Sequence, residues 1–207
     1  MLRRIISFDL ADMTSADQVS DLEKSLCTLR SIDGISTFLS RYAGAVPRGL
    51  KPMPNTHAIY FDVADLKTLT DLETNSKYVE WNAMLQRFPH TNDAFFQYEI
   101  RLQNYYPWAE RYVTFNLTDS NPADQVLELE EYIPTLRTIS GVTSANIEKL
   151  AGPVPPNFQK IARSHGLLMS SDKIEVLNEL NTKRKYLRLD SQIRHVGSNL
   201  TFFQTGT

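Results

Sequence analysis

The sequence predicts an α+β protein made of two tandem βαββαβ repeats, packed sheet against sheet within one chain. Three observations predict it. Short segments recur in the same order at a spacing of 107 or 108 residues, strand-like and helix-like patterns alternate identically in both halves, and one such unit would leave a sheet face bare. Ala16-Asp17-Gln18-Val19 returns as Ala123-Asp124-Gln125-Val126, and Leu29-Arg30-Ser31-Ile32-Asp33-Gly34 as Leu136-Arg137-Thr138-Ile139-Ser140-Gly141. Gly44-Ala45-Val46-Pro47 returns as Gly152-Pro153-Val154-Pro155, Thr56-His57 as Ser164-His165, Lys77-Tyr78 as Lys185-Tyr186, and Phe95-Phe96-Gln97 as Phe202-Phe203-Gln204. Chance supplies one such match but not an ordered series at constant spacing. The two repeats divide the chain into residues 1–104 and 105–207.

Each repeat opens on a short β-branched and aromatic strand, at 4–10 and 111–117. A helix follows. In the second repeat Asn121 is the expected N-cap, with Pro122 at the first helical position, and Val126, Leu129, Ile133 and Leu136 recur at three- and four-residue steps. Gly34 and Gly141 end these helices, since glycine takes positive φ freely. Strands at about 35–43 and 142–150 lead into Pro-rich connections, then to third strands at 56–63 and 163–170. Asp65 and Ser171 are the expected caps of a second helix, and a last strand carries Phe95-Phe96 or Phe202-Phe203. The order is that of a ferredoxin-like unit. Two of them, tethered by Gln103 to Glu110, make a single-chain dimeric α+β barrel: an intramolecular pseudo-dimer expected to behave as a monomer.

Composition narrows the partners. The 207 residues are 42% hydrophobic and 22% charged with net charge −2, which excludes a strongly basic nucleic-acid groove or anionic-membrane surface. No apolar run approaches the roughly 18 residues of a membrane span. The N-terminal Met1-Leu2-Arg3-Arg4-Ile5-Ile6, interrupted by Asp9 and Asp12, reads as neither signal nor transit peptide, so a cytoplasmic setting is expected. Cys27, the only cysteine, allows no disulfide framework and is expected in the core beside Leu22, Leu26 and Leu29.

The stretches Asn55-Thr56-His57-Ala58-Ile59-Tyr60-Phe61-Asp62 to Tyr78, and Ser164-His165-Gly166-Leu167-Leu168-Met169 to Tyr186, resemble the stress-responsive A/B barrel domains of the dimeric α+β barrel superfamily. The resemblance covers most of both halves. A distant likeness to plant polyketide cyclases of the olivetolic-acid type implies a catalytic His at His57 or His165. That family's helix Tyr does not carry over, because Leu72 and Leu180 stand there, and a further pocket His falls on Tyr78 and Tyr186.

Independently of the resemblance, the pairs His57 with Tyr78 and His165 with Tyr186, each 21 residues apart, are candidate catalytic groups. An imidazole with pKa near 6.5 and a phenol near 10 suit enolisation, the first removing a proton and the second hydrogen-bonding the enolate oxygen. Tyr60, Trp81 and Asn82 are candidate substrate-binding residues, and the Trp-Asn pair also suits the pockets of cofactor-free monooxygenases. His90 and His195 read as exposed loop residues. The histidines lie singly and no Gly-rich phosphate loop occurs, so neither metal nor cofactor is expected. Three functions compete: a cofactor-independent cyclase or lyase acting on a hydrophobic polyketide-like molecule, a non-catalytic stress-responsive protein that binds small hydrophobic ligands, and a cofactor-free monooxygenase. The first half is the expected site, since Tyr60, Tyr78 and Trp81 are more aromatic than Leu168, Tyr186 and Leu189.

Overall fold

The computed structural model describes residues 1–11, 14–44, 46, 53–100, 109–117 and 123–206, with backbone only at 123–126. Its first repeat runs β1 (Leu2–Leu10), α1 (Ala16–Leu29), β2 (Ile35–Arg41), β3 (His57–Val63), α2 (Leu66–Thr74), α3 (Ser76–Leu85) and β4 (His90–Glu99). The second runs β5 (Ala109–Leu117), α4 (Ala123–Leu136), β6 (Val142–Lys149), β7 (His165–Ser171), α5 (Ile174–Glu179), α6 (Arg184–Val196) and β8 (Gly197–Gly206). The sheets order as β2-β3-β1-β4 and β6-β7-β5-β8. Every pairing between these strands is antiparallel, so both predicted βαββαβ repeats are present.

Local chemistry explains the elements, with corrections. At the start of α1 the Ser15 side chain accepts from the Gln18 amide while the Gln18 side chain accepts from the Ser15 amide, satisfying two orphan donors. Val19, Leu22, Leu26 and Leu29 form its buried stripe. Cys27 is exposed instead, because the residue after Leu26 turns about 100° around the helix. Gly34 (φ +75) and Gly141 (φ +87) lie in the turns into β2 and β6, several residues beyond the helix ends. Asp65 does cap α2, accepting from the Thr68 amide at 2.7 Å. Ser171 does not cap α5, whose N-cap is Lys173; the Ser171 hydroxyl donates to the Gly141 carbonyl at 2.8 Å. The single second helix expected in each repeat is broken. In the first, Asn75 leaves helical geometry (ψ 126) and caps α3 by accepting from the Lys77 amide. Asn121, Pro122 and most of the 103–110 tether fall outside the described residues. No helix among the described residues is long and apolar enough to cross a membrane.

Two compact units emerge, each including a segment from the opposite repeat. Unit 1 comprises Met1–Arg41, Thr56–Gln103 and Ala151–Ala162; unit 2 comprises Tyr42–Asn55, Asn104–Leu150 and Arg163–Thr207. In unit 1 the Ala151 amide donates to the Gln97 carbonyl and the Phe95 amide to the Ile161 carbonyl, both at 2.9 Å. Phe158 stacks on Phe95 with centroids 5.0 Å apart. In unit 2 the Ala43 amide donates to the Gln204 carbonyl and the Asn55 amide to the Phe202 carbonyl. The exchanged segments therefore use hydrogen-bonding groups of β4 and β8, the edge strands that would otherwise present them unpaired.

Candidate functional site

Alternation along a strand decides which side chains meet the helices. Phe61 on β3 touches Tyr78 and Trp81 of α3, and Arg4 lies opposite Phe61 in register, so both point into the helix-facing layer. Arg4 is buried there. Its Nε donates to Gln97 Oε1 at 2.9 Å and its Nη1 to the Tyr78 hydroxyl at 2.7 Å. Glu73, at the end of α2, approaches Nη1 at 2.5 Å as an ion pair without hydrogen-bond geometry. Arg4 Nη2 and the Trp81 indole N–H find no acceptor among the described residues, nor does the Tyr78 hydroxyl proton. Burial pushes the Tyr78 phenol up to about 12, against the lowering pull of Arg4, so it stays protonated. Aromatic rings wall the cluster: Tyr78 and Trp81 are 5.7 Å apart, Phe61 and Trp81 5.0 Å, and the Arg4 guanidinium sits 5.3 Å over Phe95.

Unit 2 repeats this scaffold with different partners. Fully buried Arg111 donates from Nε to Gln204 Oε1 at 2.8 Å, from Nη1 to Asn181 Oδ1 at 3.4 Å, and from Nη2 to the Leu177 carbonyl. It lies 5.2 Å over Tyr186, whose phenol is raised by burial against the opposing effect of Arg111. Asn181 stands where unit 1 has Glu73, Met169 where it has Phe61, and Leu189 where it has Trp81. Among the described residues no carboxylate pairs with Arg111.

The predicted site residues divide. Tyr78 and Trp81 come together, as expected. His57 does not join Tyr78: it begins β3, stacks on Phe8 at 6.0 Å, and has Nδ1 3.0 Å from the Thr56 hydroxyl. The strand residue that meets Tyr78 is Phe61, four positions or about 13 Å further along. The break at Asn75 starts α3 over that end of the strand, which a bare 21-residue spacing does not reveal. Burial, then Arg41, lowers the His57 pKa. His165 repeats the arrangement, with Nδ1 2.9 Å from the Ser164 hydroxyl, the ring on Phe115, and a pKa lowered first by burial. Tyr60 is also not beside Trp81. As the strand neighbour of Phe61 it points to the opposite sheet face, where it stacks on Phe38 at 4.4 Å and lies under Arg3, itself held by Asp62. Asn82 turns away from the cluster, half-buried, accepting from Asn157 at 3.0 Å. His90 begins β4, half-buried, rather than lying in an exposed loop; its Nε2 is 3.1 Å from Asp93. His195 is exposed, in the last turn of α6.

Sequence reasoning missed Arg4, Gln97, Arg111 and Gln204 as site residues. Their signal was present: Arg4 recurs as Arg111 and Gln97 as Gln204, a charged residue and an amide at the same spacing of 107 residues. No group of three or more His, Cys, Asp or Glu among the described residues could hold a metal ion.

No protein-family model and no curated protein matches the sequence. Solved structures do match over the whole length. An anthrone oxidase-like protein aligns with TM-score 0.66 at 10% identity, covering 100% of this chain and 91% of its own. A candidate monooxygenase from Fusobacterium nucleatum subsp. nucleatum aligns at 0.55 and 10% identity, covering 99% and 91%. A dye-decolorizing peroxidase from Bacteroides thetaiotaomicron aligns at 0.53 and 9% identity, covering 100% and 92%. At these identities the likeness is one of fold: the chain shares the ferredoxin-like α+β architecture of monooxygenase-like proteins.

Proposed function

We propose that unit 1 is a cofactor-independent oxygenase site for a flat, enolisable aromatic ketone. The observation that carries this reading is the buried cluster of donors without acceptors: Arg4 Nη2, the Tyr78 hydroxyl and the Trp81 indole N–H, walled by Phe61 and Phe95. Buried donors cost free energy unless something accepts from them, and an enolate oxygen accepts from several at once. Among the described residues Glu73 Oε1 has no hydrogen-bond donor of its own, which suits it to take the substrate's proton. Arg4 balances the charge of Glu73 before the reaction and stabilises the enolate during it.

The reaction class is oxidation of an activated methylene by dioxygen. Glu73 takes one proton from the CH2 carbon, and the electron-rich enolate passes one electron to O2. The radical pair joins in a C–O bond, Glu73 returns its proton to the peroxide anion, and the hydroperoxide loses water, its O–O bond breaking as the second C–H proton leaves, to give a carbonyl at that carbon. One O2 is consumed and one water formed per diketone. The anthrone oxidase-like neighbour names a substrate class worth testing; the fold itself carries no chemistry. The competing cyclase reading rests on His57 and Tyr78, but Tyr78 packs against Phe61, four residues or about 13 Å along β3 from His57.

The test is oxygen uptake and quinone formation with anthrone, against buffer. Glu73→Gln should lower the rate about 10²–10⁴-fold, the usual range for a general base. Tyr78→Phe, which deletes one oxyanion donor, should lower it about 10²-fold. Trp81→Phe keeps a ring and removes only the N–H, so a smaller loss is expected. Uptake no faster than buffer, or variants indistinguishable from wild type, would remove the proposal.

A further inference from the structure

Among the described residues, unit 2 holds a buried cation with no counter-charge. Arg111 is 0% exposed, and its three nitrogens donate only to neutral groups: Gln204, Asn181 and the Leu177 carbonyl. An isolated buried charge is costly, and proteins normally pair it. In unit 1 the same guanidinium has Glu73; here Asn181 occupies that place. The Arg111–Asn181 contact, at 3.4 Å, is also the longest in the set.

A second polar group lies beside it unused. The Tyr42 hydroxyl is buried and has no partner among the described residues. Tyr42 and Arg111 share Phe202, the first with ring centroids 6.1 Å apart and the second with its guanidinium 4.9 Å over the ring. Gln204 links them further, accepting from Arg111 Nε while its amide donates to the Ala43 carbonyl at 2.8 Å, one residue along from Tyr42. Gly44 keeps the segment close. Its φ is +101, and a Cβ there would collide with Asn178 Oδ1. Tyr42 itself is only half-buried, which gives the cluster a side toward solvent.

We propose that Arg111 and Tyr42 form a binding site in unit 2 for a small flat carboxylate, its ring against Phe202 and its oxygens accepting from the guanidinium and the phenol. The carboxylate supplies the charge that Glu73 supplies in unit 1. An aromatic acid fits better than a bare inorganic anion, because the Phe202 and Tyr186 rings lie against the guanidinium and Tyr42 packs on Phe202. This site does not depend on the oxygenase reading of unit 1.

Benzoate is the probe, with benzamide as its neutral isostere and chloride at matched ionic strength. Wild-type protein should show a saturable rise in thermal midpoint and a calorimetric binding isotherm with benzoate alone. Asn181→Glu places a carboxylate on the chain where unit 1 has one. It should raise the thermal midpoint without ligand and abolish the benzoate response. Tyr42→Phe removes one hydrogen bond and should weaken benzoate binding about 10-fold while leaving the fold intact; it decides the matter if Asn181→Glu fails to fold. The proposal is overturned if wild type does not respond to benzoate, if chloride or benzamide gives the same response, or if both variants bind benzoate as wild type does.

Discussion

Arg4 and Arg111 occupy the same place on the same strand of two copies of one unit, yet they solve the problem of a buried charge differently. Arg4 has an acid, a phenol and an amide, and among the described residues keeps one nitrogen without a partner. Arg111 uses all three nitrogens, on neutral acceptors only. Three replacements separate them: Glu73 by Asn181, Phe61 by Met169, and Trp81 by Leu189. The scaffold of Arg, Gln and Tyr tolerates either set, so duplication let the polar partners diverge while the strand order stayed the same. A base and spare donors remain in unit 1; an uncompensated cation remains in unit 2.

Each unit includes a segment of the other repeat, and the largest expected effect tests whether it needs that segment. Residues 1–104 expressed alone lack Ala151–Ala162, which fill hydrogen bonds of β4 and place Phe158 on Phe95. The fragment should aggregate or self-associate rather than unfold cooperatively as a monomer, and adding residues 105–207 should restore a soluble species. A stable monomeric half in sizing and denaturation experiments would break the comparison at its root. Within the intact chain, Phe158→Ala removes a fully buried ring and should cost about 3–5 kcal/mol in denaturant unfolding. A cost near zero would mean that the exchanged segment is not part of the packing of unit 1.

Much of this architecture is legible in the amino-acid order. The constant spacing of recurring segments implies the element order, and Asp65, Gly34 and Gly141 mark their turns and caps nearly where they lie. The exchange of segments is not legible. A Pro-rich connection has the same local pattern whichever sheet edge it reaches, so only tertiary contacts decide. The helix break at Asn75 shifts Tyr78 relative to His57 by a distance that sequence spacing does not encode. Tyr60 lies on the other sheet face from Trp81 because one residue along a strand reverses the face, and an unbroken run of buried residues such as His57–Val63 offers no alternation from which to choose it. Arg4 and Arg111 escape notice because a basic residue near a strand's start ordinarily lies in water; here the central strand carries it into the core.

A smaller effect sharpens the contrast between the clusters. Trp81→Leu and Leu189→Trp exchange the residues that most distinguish them. Leu189 is fully buried, so the larger ring overpacks its surroundings and should cost about 1–3 kcal/mol. Trp81→Leu should cost a similar amount by leaving space against Phe61 and Tyr78, while removing the indole N–H from the donor cluster. Denaturant midpoints measure both. If Leu189→Trp is neutral, unit 2 has room that its closed packing denies, and the two cores differ less in shape than in chemistry.

The smallest effect concerns pH, where the units agree on one histidine and differ on another. His57 and His165 both have pKa values lowered first by burial, with Arg41 or Lys149 adding to it and Asp9 and Glu23, or Glu130, opposing. A histidine depressed in the folded state binds fewer protons folded than unfolded. Its contribution is therefore lost as pH falls from the ordinary value near 6.5 toward the depressed one. His90 has the opposite sign: its hydrogen bond to Asp93 raises it, so its contribution is full below the ordinary value and is lost as pH rises through the raised one. Unit 2 has Gly197 in that place and so lacks this opposing contribution. Urea midpoints across about pH 5 to 8 should fall toward acid less steeply in His57→Gln and in His165→Gln, by similar amounts. His90→Gln should make the fall steeper, because a contribution that favours the folded state at acid pH is gone. A flattening by His57→Gln with none by His165→Gln would mean that the two strand histidines do not share one environment, and the equivalence of the scaffolds would end at that strand.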